Sequence, residues 1–148
     1  MPKKSLYIPS EIDALISAGE AESYSKRCAF LISMAVEMMQ ANTPELRLGE
    51  WCAIADAMNG THFMYEMGPK GLVHSAWHGV YDSAPECNEK WGVDCEELSK
   101  RLRGMTLAEQ FAVFEIGRSF WRRRDITNGK KTYQELFQAL GARISPDD

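Results

Sequence analysis

Residues 28–39 read Cys-Ala-Phe-Leu-Ile-Ser-Met-Ala-Val-Glu-Met-Met, and their apolar side chains recur at helical spacing on more than one face. Cys28, Leu31, Ile32, Ala35 and Met39 make one stripe, while Phe30, Met34 and Met38 make a second on a neighbouring face. One stripe satisfies an ordinary core. Two predict a helix that also packs against a second copy of the chain, so a homodimer through residues 28–39 is expected.

Upstream of this helix, Lys3-Lys-Ser-Leu-Tyr-Ile8 alternates and predicts a short strand, with Leu6 and Ile8 on one side and Ser5 and Tyr7 on the other. Pro9 ends it. Ser10 is placed as an N-cap, and Glu11, Ile12, Leu15 and Ile16 then predict a short amphipathic helix closing near Gly19. After a turn, Ser25 is the expected cap of the apolar helix, which should run to about Gln40 before Asn42-Thr43-Pro44 breaks it.

Strand, short helix, turn and longer apolar helix within the first 42 residues resembles the ribbon-helix-helix superfamily of repressors. The resemblance implies that two protomers pair their strands into a ribbon that enters the DNA major groove. It would place Lys3, Ser5 and Tyr7 toward the bases, and Ser25, Lys26 and Arg27 against phosphate at a helix start. Lys4 departs from the pattern, standing where an inward apolar residue belongs. Three further phrases, Glu-Trp-Cys-Ala-Ile at 50–54, Asn-Gly-Thr at 59–61 and Glu-Lys-Trp-Gly-Val-Asp at 89–94, resemble stretches of uncharacterised phage and plasmid proteins.

A chain of 148 residues with 45% apolar content can bury one sound core with an appendage. It holds no apolar run near the roughly 20 residues of a membrane span and no signal-peptide apolar region, so a cytoplasmic protein away from the membrane is expected. Cys28, Cys52, Cys87 and Cys95 include no Cys-x-x-Cys pair and read as free thiols. The net charge of -4 is unevenly spread: residues 1–42 sum to -1, residues 43–97 to -7 and residues 98–148 to +4. The total disfavours indiscriminate nucleic-acid binding but leaves room for a local basic face.

Residues 43–148 predict a helical domain. Leu48, Trp51, Ile54, Ala55 and Met58 share a face before the stop Asn59-Gly60. Residues 61–71 and 82–89 read as loops around a helix over 72–81. Asp94 to Glu97, Thr106 to Glu109 and Thr132 to Glu135 each have capping-box spacing ahead of an apolar run. The expected fold is therefore mainly α, a short N-terminal strand and ribbon-helix-helix-like unit (1–42) followed by a helical domain (43–148).

No motif specifies a reaction. His74 and His78 share a helical face but lack the intervening glutamate of His-Glu-x-x-His and a third ligand, so no metal is expected. Cys87 reads as the most exposed thiol. No phosphate-cradling glycine loop, dinucleotide fingerprint or nucleophile elbow occurs, and neither enzyme activity nor a cofactor is expected. The strongest charge feature is Arg118, Arg122, Arg123, Arg124, Lys130 and Lys131, interrupted by Asp125 alone among the acids, which suits a phosphate or acidic partner. The first expectation is a homodimeric DNA-binding transcriptional regulator whose helical domain binds an effector or partner. The second is a phage- or plasmid-encoded protein that inhibits a host defence complex by protein–protein contact, its acidic middle imitating nucleic acid.

Overall fold

The computed structural model describes residues 7–18 and 23–146. The chain divides into two compact units, Met1–Met38 and Met39–Asp148.

In the first unit, helix α1 (Ser10–Ser17) follows Pro9, whose φ of -56° and ψ of 149° hold the chain extended at the helix entrance. Ser10, expected as the cap, is the first helical residue instead, and no side chain caps α1. Helix α2 (Tyr24–Ala41) begins just before the expected cap. Its cap is Ser23 rather than Ser25, because the Lys26 amide donates to Ser23 Oγ at 3.3 Å and the Arg27 amide to the Ser23 carbonyl at 3.0 Å. The Tyr24 hydroxyl donates to Asp13 at 2.6 Å, tying α2 to α1. That bond to a carboxylate, with the carboxylate's charge, pushes the phenol up to about 12.

The ribbon-helix-helix resemblance does not hold. Tyr7 and Ile8 are not strand, and the strands among the described residues lie at 45–46 and 143–144, far from the N-terminus. Lys3 and Ser5 lie outside the described residues. The described part of the segment, Tyr7 and Ile8, runs directly into Pro9, which has no N–H to give to a strand ladder. Lys4 already departs from the alternating pattern that predicts the strand.

The second unit is organised by helix α3 (Leu48–Asn59), in which eight of twelve residues are buried. Trp51, Ala53, Ile54 and Ala55 are shielded completely. Around it lie α4 (Gly68–Asp82), α5 (Ala84–Trp91), α6 (Cys95–Gly104), α7 (Leu107–Thr127) and α8 (Tyr133–Ala139). Helix α7 crosses α3 at Gly117, where an added Cβ would come within 2.8 Å of Ile54 Cγ2 and Met58 Sδ. Gly117→Val is expected to lower the unfolding free energy by about 1–3 kcal/mol through overpacking, measured by chemical denaturation. Phe120 of α7 stacks on Phe137 of α8 at 4.1 Å, with Trp51 5.9 Å from the same Phe137 ring.

Two short strands, β1 (Glu45–Leu46) and β2 (Arg143–Ile144), pair in parallel with Glu45 opposite Arg143. Trp51 Nε1 donates to the Arg143 carbonyl at 3.1 Å and secures that end of the chain to α3. Thr106 and Thr132 form the expected reciprocal caps with Glu109 and Glu135. Asp94 accepts from the Glu97 amide at 3.0 Å. Two expected loops are partly helical. Residues 65–67 form a 3₁₀ turn and α4 starts at Gly68, while α5 occupies most of 82–89. Pro69 and Pro85 each lie in a first helical turn, where the missing N–H is no loss. Gly92, at φ +63°, closes α5 in the left-handed conformation.

Candidate nucleic-acid interface

The cations named from the sequence fall into two groups, one in each unit. In α2, Ser25 and Lys26 are exposed in the first turns. Arg27 is half-buried, with its guanidinium 6.0 Å from the Phe30 ring centroid. Its Nε is shielded and without a partner among the described residues. Tyr7 is 91% exposed and belongs to no strand. This group forms no groove-reading ribbon.

The second group lies at the C-terminal end of α7 and in the turn to α8. There Asn128 and Gly129 both take positive φ, at 52° and 69°, and reverse the chain after Thr127. Arg118 is already engaged: its Nε bonds Glu115 at 2.8 Å and its Nη1 donates to the Tyr65 hydroxyl at 2.7 Å. Arg122, Arg123, Lys130 and Lys131 are exposed, and among the described residues none forms an ion pair. Their positive charge also suits the carbonyl end of the helix dipole.

Arg124 lies differently, half-buried over two rings, 5.0 Å from the Trp121 centroid and 5.3 Å from that of Tyr133. Tyr133 is in turn 6.1 Å from Trp121 and 6.0 Å from Trp91, so the three half-exposed aromatics form a row with Tyr133 in the middle. At the Trp91 end, Lys90 Nζ sits 4.8 Å from the indole and 2.6 Å from Asp56. Trp91 Nε1 donates to the same carboxylate at 2.8 Å, and Trp121 Nε1 donates to the Ala55 carbonyl at 3.1 Å. Sequence reasoning missed this row. Trp121 and Arg124 are one turn apart and could have been paired from spacing, whereas Trp91 and Tyr133 meet only through the fold.

Other candidate groups are held internally. Glu50, its side chain 3% exposed, accepts from Arg101 Nη1 at 2.7 Å and from the Arg47 amide at 2.9 Å. Burial alone would push its carboxyl up, but the Arg101 bond, the Arg47 amide and both positive charges hold it below the ordinary 4.5. Cys87 is buried on α5 rather than exposed in a loop, and Cys52 and Cys95 are buried as well. Burial, aided by nearby negative groups, pushes the Cys52 and Cys95 thiols up to about 12, far from a reactive thiolate.

His74 and His78 do meet, with Nε2 atoms 3.1 Å apart on the exposed face of α4. Arg103 Nη2 lies 3.3 Å from His78 Nδ1. No third ligand joins them: among the described residues no group of three or more His, Cys, Asp or Glu side chains could hold a metal. Nor is any helix among the described residues long and apolar enough to cross a membrane. No family model, no curated protein and no solved structure matches the chain, so neither the repressor resemblance nor the likeness to phage and plasmid proteins has support beyond the quoted residues.

Proposed function

We propose that this chain is a non-catalytic, homodimeric nucleic-acid-binding regulator whose contact with phosphate is made by the end of α7 and the following turn. The observation that carries this reading is the group Arg122, Arg123, Lys130 and Lys131, exposed together without ion pairs among the described residues. Cations so placed bind phosphate by releasing its counterions. Helix α2 supplies the second copy. It is 18 residues long with no buried residue, and Phe30, Ile32, Met34, Val36 and Met38 are each about half exposed. Pairing two phosphate-binding ends in one dimer multiplies affinity through effective concentration.

A regulator built on protein contact and acidic mimicry has less in its favour. Within the acidic stretch 43–97, Glu50 and Asp56 are held in ion pairs and Asp94 caps α6, so the field available for imitation is thinned. The test is gel retardation of a mixed-sequence duplex by wild type and by a variant with Arg122, Arg123, Lys130 and Lys131 replaced by alanine. Loss of four phosphate contacts is expected to weaken binding at least 100-fold on every sequence tried. An unchanged affinity, or no retardation by wild type at low salt, would remove the nucleic-acid reading.

A further inference from the structure

We propose that the row Trp91, Tyr133 and Trp121 binds unpaired nucleobases, making single-stranded nucleic acid the preferred ligand. This rests on the nucleic-acid reading above and narrows its ligand class. Both indole N–H groups are turned inward, to Asp56 and to the Ala55 carbonyl, which fixes the rings and leaves their outer parts without a hydrogen-bond donor to offer. Half-exposed rings of this kind can stack on any base, as single-strand binding proteins require. Trp121 meets Tyr133 edge to face at 82° and Trp91 is tilted 50° to it, so the three ring planes face different directions and do not form one stack.

Cations accompany the rings at each end. Arg124 covers Trp121 and Tyr133, where a planar guanidinium can itself stack beneath a base. Lys90 neutralises Asp56 at the Trp91 end, and Lys130 and Lys131 lie in the turn leading to Tyr133. Of the acids nearby, Asp56 is ion-paired, while Glu89, Asp125 and the α8-capping Glu135 are exposed and offset part of this charge. A duplex keeps its bases stacked inside and can reach the cations alone. A single strand reaches both cations and rings, so it should bind tighter per phosphate.

The test compares a fluorescein-labelled oligothymidylate, the mixed-sequence duplex of equal phosphate number, and inorganic polyphosphate, all with the full-length chain. Of the four tryptophans, Trp51 and Trp77 are buried, so quenching of intrinsic fluorescence reports on Trp91 and Trp121. The expected result is at least ten-fold tighter binding of the single strand than of either competitor, with tryptophan quenching by the single strand alone. Tyr133→Leu should then cost about ten-fold on the single strand and leave duplex affinity unchanged. Equal binding of strand and duplex without quenching would overturn the stacking site while the phosphate reading survives. Polyphosphate binding as tightly as the strand would overturn it too, and failure of all three to bind would overturn both. The wild-type comparison stands even if Tyr133→Leu folds poorly.

Discussion

Replacing Arg101 with methionine is expected to cost about 1–3 kcal/mol of stability at neutral pH, more than the reciprocal Glu50→Gln. The two partners differ in exposure, 43% for the arginine side chain and 3% for the glutamate. Without Arg101 the carboxylate is stranded in the interior with Arg47 as its remaining positive partner, whereas without the carboxylate Arg101 can turn to water. The pH dependence should change sign as well. In the native chain the Glu50 carboxyl is held below its ordinary value, so its contribution is fully present above the unfolded value and is lost as pH falls through the folded one. In Arg101→Met, burial is opposed by the Arg47 amide and charge alone, and the folded value is expected to rise. The deficit should therefore shrink on acidification as the carboxyl takes up a proton. Urea unfolding of both variants across pH 4–7 checks this, and equal costs that do not depend on pH would show that the pair is a surface contact.

The second large effect concerns α2. A surface helix normally buries a stripe somewhat over 100° wide, but the apolar residues of α2 extend over roughly two-thirds of its circumference. Cys28, Leu31 and Met39 are half-buried, while Phe30, Met34 and Met38 on one flank and Ile32 and Val36 on the other are exposed. With Ile12 and Leu15 of α1, also about half exposed, seven large apolar side chains are left in water. The proposed second copy would lie along this face, where a standard interface takes roughly 800 Å² from each partner. On the proposed dimer, the double substitution Ile32→Glu, Met34→Glu should raise the dissociation constant at least 100-fold, because each carboxylate would have to be buried or the interface abandoned. Both positions are exposed in the protomer, so its helicity should be retained by circular dichroism. An unaltered dimer would place the interface elsewhere.

Helix starts were legible where the chemistry is local. Thr106 with Glu109 and Thr132 with Glu135 carry their own hydrogen bonds within four residues, so spacing alone located α7 and α8. The same logic erred by two residues at α2, where Ser23 and Ser25 are chemically equivalent and only the fold selects between them. The expected loop over 82–89 is instead mostly α5, with Pro85 in its first turn, where a proline fits a helix. The apolar pattern of residues 28–39 gave the helix but not its surroundings, since periodicity cannot tell a face buried in its own core from one awaiting another molecule. The organising core helix was instead α3, whose Trp51 and Ile54 were visible as a face without any sign of their rank. Long-range features had no local signature: the pairing of residues 45–46 with 143–144 and the convergence of Trp91 with Tyr133 both depend on segments far apart in sequence. Of the candidate site, the cations at 118–131 could be read directly, but not that Arg118 is engaged and Arg124 stacked while four neighbours remain exposed.

The most direct test of nucleic-acid binding is the salt dependence of affinity for a duplex, measured by fluorescence anisotropy from about 50 to 200 mM monovalent salt. With Arg122, Arg123, Lys130 and Lys131 each neutralising one phosphate, the slope of log K against log salt is expected near -3.6 per protomer and correspondingly steeper for an engaged dimer. A slope near zero, or no measurable binding at the lowest salt, would contradict phosphate recognition by this end of α7.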